Sequence, residues 1–183
     1  LLRPEDGGMR SYDYARRTGV RELGWDDCAA LAHLLAEDLG SRDVEVVIGV
    51  ARAGLIPAVE VAMALTVEFF PVRLSRRMAG EVRFDAPVWR TPVPSDLSGQ
   101  RVAVIDEIAD SGDTLELVRR AALDAGAPSV VTACLVSHSW ADPTPDVVAL
   151  TSDELIIFPW GRQIYRQSTW RLDPELEYAL RHQ

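Results

Sequence analysis

Four acids, two hydroxyl residues and one glycine fall within nine residues at the end of an apolar run, Val102-Ala103-Val104-Ile105-Asp106-Glu107-Ile108-Ala109-Asp110-Ser111-Gly112-Asp113-Thr114-Leu115. Adjacent carboxylates such as Asp106 and Glu107 can accept bonds from vicinal sugar hydroxyls, or hold Mg²⁺ near a polyphosphate. Gly112 lets the chain turn tightly. Ser111 and Thr114 then add hydroxyls to the free N–H groups of a helix start, which together make a phosphate cradle. Taken singly, Ser111 or Thr114 reads as a plain helix cap. The whole run asks for a sugar phosphate, with hydroxyls on one side and phosphate on the other.

About fifty residues earlier stands a second turn of this kind, Ile48-Gly49-Val50-Ala51-Arg52-Ala53-Gly54-Leu55. Small residues at Ala51, Ala53 and Gly54 allow a ligand close to the backbone, and Arg52 supplies positive charge. All 19 basic residues are Arg, so the chain has no lysine for a Walker-type loop, a Schiff base or a kinase-type strand. Any anion must be held by guanidinium groups, backbone N–H groups, hydroxyls or a metal. The net charge of −9 argues against nucleic acid as a partner, because binding it needs a basic face. No His/Cys/acid cluster has zinc spacing.

The elements that must position these turns follow from the apolar pattern. Helices are expected over Trp25–Leu39, Leu55–Leu65 and Thr114–Ala125, and strands over Val44–Val50, Val67–Val72, Val102–Ile105 and Val130–Val136. Two short apolar runs follow, Val147–Leu150 and Leu155–Phe158, and Asp173-Pro174 opens a last helix. Residues 1–24 read as an irregular start, and residues 75–98, with Pro87, Pro92 and Pro94, as a functional or mobile loop. Strands alternating with helices imply an α/β fold, a mostly parallel sheet with helices on both faces. Ligands of such sheets sit beyond the carboxyl ends of the strands, where both turns fall. One domain spans 1–183, with a core over about 23–137 and a C-terminal helix over about 173–181. Cys28 and Cys134 read as core thiols that suit a reducing cytoplasm. No apolar run of about eighteen residues suggests a membrane span, and no apolar leader suggests export.

The run 102–115 resembles the signature that binds phosphoribosyl pyrophosphate (PRPP) in type I phosphoribosyltransferases. The turn at 51–54 resembles that family's pyrophosphate loop, with Ala53 in place of the usual Gly. The resemblance covers roughly residues 23–165 and implies the type I fold, with a small hood built from residues 1–22 and 138–165. It implies that Asp106 and Glu107 hold the ribose hydroxyls and that Glu107, with Asp106 beside it, meets Mg²⁺. Residues Asp110, Ser111, Gly112, Asp113 and Thr114 would wrap the 5′-phosphate, with the Asp113 side chain pointing outward. Ala51, Arg52 and Ala53 would take the pyrophosphate, with Arg52 neutralising its charge, across a strained, sometimes cis, Ala51–Arg52 peptide. The 75–98 segment matches the loop that closes over the reaction in this family.

Asp110 resembles the acid of the 6-oxopurine members, where it accepts a bond from N7–H and serves as the base that frees the purine nucleophile. The run Asp153–Trp160 is similar to the xanthine/guanine and archaeal hypoxanthine/guanine members. Here His138 stands where a Lys usually meets the purine O6, and Leu155 where an aromatic usually stacks, with Ile156 beside it as a further base contact. The implied activity is transfer of phosphoribosyl from PRPP to a purine nucleobase with release of pyrophosphate, by a cytoplasmic homodimer or higher homo-oligomer. The altered positions 138 and 155 leave two other readings open: a non-catalytic PRPP-sensing module, and a specialised enzyme for an unusual heterocycle.

Overall fold

A computed structural model describes residues 16–75, 77–78, 81–82 and 88–181. The central sheet has six strands in the order β6-β3-β2-β7-β8-β9. These are β2 (Val46–Val50), β3 (Glu68–Ser75), β6 (Val88–Thr91), β7 (Arg101–Ala109), β8 (Ser129–Ser137) and β9 (Val147–Thr151). All neighbours run parallel except β6, which joins the β3 edge antiparallel. The helices are α1 (Trp25–Ser41), α2 (Leu55–Leu65), α3 (Asp113–Asp124) and α4 (Pro174–Arg181).

Alternation along the strands explains the layers, since successive side chains leave opposite faces of a sheet. Val47, Ala103, Ile105, Ala133 and Leu135 pack on one face with Leu35 and Leu39 of α1 and Ala58 and Val61 of α2. Val46, Ile48, Val102 and Val104 pack on the other with Leu115, Val118 and Ala122 of α3. Both faces are therefore covered, and every residue of β2 is buried. Burying a Val, Leu or Ile side chain contributes about 1.5–3 kcal/mol, so this double core dominates the stability. From β2 the chain winds outward through α2 to β3. From β7 it winds the opposite way through α3 to β8 and β9. The order thus reverses between β2 and β7, and a crevice opens beyond their carboxyl ends.

Several elements differ from the sequence expectation. The irregular start does not extend to residue 24: β1 (Val20–Glu22) pairs in parallel with β10 (Leu155–Ile157). Its first fifteen residues lie outside the described residues. The stretch 75–98 is not one irregular loop, because β6 adds an edge strand and a short antiparallel pair forms between β4 (Arg77–Met78) and β5 (Glu81–Val82). Residues 76, 79–80 and 83–87 lie outside the described residues, so the expected mobility there is not described. A hairpin of β11 (Gln163–Arg166) and β12 (Thr169–Leu172) was not expected at all.

The β8–β9 junction is clamped by one carboxylate. Asp146 Oδ2 accepts bonds from Thr132 N at 2.8 Å and Thr132 Oγ1 at 3.0 Å, while its own N–H donates to that hydroxyl at 3.1 Å. Thr132 is buried, so Asp146→Ala strands a buried amide. A loss of about 1–3 kcal/mol is expected, read as a lower urea midpoint at unchanged slope.

Candidate active site

The turns after β2 and β7 meet each other directly. A Cβ added to Gly54 would stand 2.5 Å from Asp106 Oδ1 and 2.6 Å from the Val50 carbonyl oxygen, so only glycine allows the approach. The Ala51–Arg52 peptide is cis, in agreement with the expectation from the resemblance. Ala51 N donates to the Val72 carbonyl at 2.7 Å, which fixes the turn to the neighbouring strand. Arg52 is exposed in the turn between β2 and α2.

Strand β7 runs four residues past its expected end at Ile105, because the ladder with β8 continues through Asp106 opposite Cys134 and Ala109 opposite Ser137. Asp106 and Glu107 are half-buried. Burial, and then the charge of Glu107, push the Asp106 carboxyl well above the usual carboxylate range. Its Oδ1 accepts the Glu107 N–H at 2.9 Å. Beyond the strand, Gly112 sits at φ +86° and opens α3 without a side-chain cap. Ser111 Oγ accepts the Asp113 N–H at 3.4 Å, and the next amides of the first turn are those that could meet an anion. Ser111 Oγ donates to the exposed Asp113 carboxylate at 2.9 Å, so Asp113 engages the hydroxyl expected on a phosphate. Thr114 lies exposed in the first turn of α3.

A third segment completes the site, and sequence reasoning missed it. Thr18 N donates to the Asp153 carbonyl at 3.0 Å and Leu155 N to the Gly19 carbonyl at 2.9 Å, which seats residues 18–22 along 153–157. This brings Arg17 to Asp110, with Nη2 donating to Oδ1 at 3.2 Å across 93 residues of sequence. The Arg17 side chain is only 5% exposed. Nothing in the local sequence marks Arg17, since its contact with Asp110 follows from the pairing of distant segments.

His138 is not a surface residue, because its backbone N–H extends the ladder to the Ala109 carbonyl at 3.1 Å and its ring is buried. The ring stacks on Trp140, with centroids 4.4 Å apart. Nδ1 lies 2.6 Å from the Ser152 carbonyl oxygen, which only accepts, so Nδ1 carries the proton. Burial pushes the imidazole below its ordinary value, against the Ser152 bond. The neutral ring then presents a bare Nε2, 3.8 Å from Asp110 Oδ1 and without a hydrogen-bond partner among the described residues. In the neutral ring this nitrogen is an acceptor, and only a protonated His138 would donate from it.

Leu155 and Ile156 leave opposite faces of β10. Ile156 packs into the core with α1, while Leu155 is buried beside the 18–22 segment, so the two do not line one ligand face. Arg162 donates to Glu22 at 2.9 Å, and Arg166 lies on the β11 hairpin. Trp160 packs between Phe158 and Trp25. Both cysteines are free and buried, with Cys28 pushed up to about 11 and Cys134 up to about 12, chiefly by burial.

Among the described residues no group of three or more His, Cys, Asp or Glu could hold a metal ion alone. One or two carboxylates at Asp106 and Glu107 do match the habit of Mg²⁺, which keeps waters and takes substrate phosphate oxygens as its remaining ligands. The donor set fits a metal that arrives with a diphosphate.

Residues 22–166 match the phosphoribosyl transferase domain family. The chain is similar to the xanthine-guanine phosphoribosyltransferase of Ruegeria sp. (strain TM1040), 31% identical over 164 residues that cover 81% of this chain and 89% of the relative. It is also similar to the adenine phosphoribosyltransferase of Clostridium botulinum (strain Eklund 17B / Type B), 32% identical over 110 residues, 56% of this chain and 64% of that enzyme. Among solved structures, the purine phosphoribosyltransferase of Pyrococcus horikoshii Ot3 superposes with a TM-score of 0.70 at 33% identity, covering 78% of this chain and 94% of the other.

Proposed function

The chain belongs to the phosphoribosyltransferase family, and from that premise we propose that it moves the phosphoribosyl group of PRPP onto a ring nitrogen of a 6-oxopurine, releasing pyrophosphate. One observation carries the reading: the two anion-handling turns abut at Gly54 and Asp106, at the point where the strand order reverses. A ribose seated on Asp106 and Glu107 would have its 5′-phosphate against the uncapped start of α3 and its diphosphate against the turn 51–54. The similarity to the Ruegeria and Pyrococcus enzymes supports a purine as the acceptor.

Glu107, with Asp106 beside it, would hold Mg²⁺ carried by the diphosphate, and the bound ion would neutralise charge that grows on the leaving pyrophosphate. Arg52 and the amides of its turn add to that neutralisation from the protein side. Asp106, beside Glu107 at the end of β7, would accept from a ribose hydroxyl. Asp110 accepts the base N7–H. Catalysis is then chiefly positioning and charge stabilisation around an oxocarbenium-like centre. The pair β1–β10 and the 138–165 region would form the hood over the base. Two buried free thiols suit a cytoplasmic setting. Exposed Leu34, Val59 and Met63 on α1 and α2 suit a homodimer.

The test is Mg²⁺-dependent pyrophosphate release from PRPP across hypoxanthine, guanine, xanthine, adenine, orotate and uracil. Release with the 6-oxopurines is expected. Release only with adenine or a pyrimidine overturns the acceptor, and PRPP binding without release for any base turns the reading into that of a sensor.

A further inference from the structure

Behind Asp110 stands a proton acceptor that the proposed mechanism does not use, the imidazole of His138. Its role rests on the proposed transfer to a 6-oxopurine and concerns the proton that the purine gives up.

His138 holds one proton firmly and lacks the other. Nδ1–H is committed to the Ser152 carbonyl at 2.6 Å, and the ring stacks on Trp140 with centroids 4.4 Å apart, so tautomer and ring plane are both fixed. Nε2 has no hydrogen-bond partner among the described residues, although the side chain is 0% exposed. A buried polar atom left unpaired costs about 1–3 kcal/mol and calls for a reason. What Nε2 faces is Asp110 Oδ1 at 3.8 Å, beyond hydrogen-bond range. Two lone pairs stand apart for want of a proton, and one proton would draw them together. Burial holds the imidazole below its ordinary value. Of the polar and charged groups around it, Arg17 acts with burial, while the Ser152 carbonyl, Asp110 and Asp153 act against it.

We propose that His138 is a proton reservoir behind Asp110, taking at Nε2, through Asp110 Oδ1, the proton that leaves the acceptor base. The purine N7–H bond breaks as N9 bonds the sugar carbon and that carbon parts from pyrophosphate. The proton forms an O–H on Asp110, which turns about its C–O bond toward Nε2. There it becomes an N–H, and Asp110 is again a carboxylate. Imidazole is a stronger base than a carboxylate by about two pK units in water, a margin that burial narrows here. The resulting imidazolium lies between the Asp110 carboxylate and the Ser152 carbonyl. After product leaves, the proton returns by Asp110, whose side chain is 28% exposed, because the ring itself has no route to solvent. His138 touches no substrate in this role and acts only through Asp110.

The experiment compares wild type, His138→Gln and His138→Lys for kcat/KM with hypoxanthine between about pH 5 and 9, together with the Kd for PRPP. Gln keeps a side-chain amide beside Asp110 but binds no proton, and Lys brings a proton already in place. His138→Gln should lower kcat/KM about tenfold at neutral pH, less than the loss of Asp110 itself, with PRPP affinity within about threefold. Protonation fills Nε2, so wild-type kcat/KM should fall as pH drops through the lowered imidazole value, and His138→Gln should lose that limb. His138→Lys should be no better than His138→Gln. If the ring met the purine O6 as a cation, acidification would raise wild-type activity and Lys would retain it; either result overturns the proposal. An unchanged rate and profile in His138→Gln does the same. The wild-type chain gives a reading that needs no variant to fold: nitrogen NMR of labelled histidine rings in the PRPP complex should show His138 protonated on Nδ1 and bare at Nε2 at neutral pH. A proton on Nε2 there overturns the reservoir. A wild-type chain that binds PRPP and releases pyrophosphate with no base instead defeats the transfer reading, and His138's role with it.

Discussion

Replacing Asp110 by Asn should lower kcat/KM for the base by about 10²–10⁴, the range that a positioned proton acceptor supplies, while PRPP still binds. The argument rests on what Asn keeps and loses. The shape is preserved, and the amide oxygen can still accept the Arg17 Nη2–H that Oδ1 accepts at 3.2 Å. The negative charge and the capacity to take a proton from a ring nitrogen are lost. Asp110→Ala would be a poorer choice, because it leaves a nearly buried guanidinium without this carboxylate, a change that is itself costly. Steady-state pyrophosphate release and calorimetric titration with PRPP separate the two effects. Activity within threefold of wild type would mean that Asp110 serves only to tether Arg17.

Gly112→Ala should be the most damaging single methyl in the site. Gly112 has φ +86°, where an L side chain is strained, and its added Cβ would run into the Pro143 carbonyl oxygen. That segment cannot simply withdraw, because Asp142 N donates to the Ser111 carbonyl at 3.0 Å and ties the 138–143 turn to the 110–114 turn. Gly99→Ala is the natural control. Its φ is +77°, yet nothing lies within 4 Å of its Cβ, so it reports strain without collision. Gly99→Ala should cost about 1 kcal/mol and Gly112→Ala about 3 kcal/mol or more. Only the latter should weaken PRPP binding. Denaturant midpoints and PRPP titrations measure both, and equal costs at the two positions would remove the collision from the account.

The elements legible in the sequence are those whose burial is periodic and whose ends are chemical. Helix α2 occupies Leu55–Leu65 as expected, because Gly54 precedes it and Thr66 ends it in the left-handed region. Helix α3 lies within one residue of expectation at each end, Asp113–Asp124 against 114–125. Strand β7 was under-read because Asp106 and Glu107 interrupt the apolar run, while the ladder with β8 takes no account of polarity. The β11–β12 hairpin was illegible for two reasons. All of β12 is exposed, and the turn takes positive φ at Gln167 and Ser168, neither of which announces that conformation. In the site, the two turns could be read because each is local. Arg17 and the tautomer of His138 could not, since they depend on partners 93 and 14 residues away.

The pairing of Val20 with Leu155 closes a loop of most of the chain, and it divides the molecule by role. Everything proposed to grip the sugar and its phosphates lies between β2 and α3 on directly bonded neighbouring strands. The contact of Arg17 with Asp110 is instead laid on from outside that frame, by residues 18–22 seated along 153–157. A substitution in residues 18–22 or 153–157 would therefore disturb the seating of Arg17 beside Asp110 while leaving the bonded strands that carry the two turns as they are.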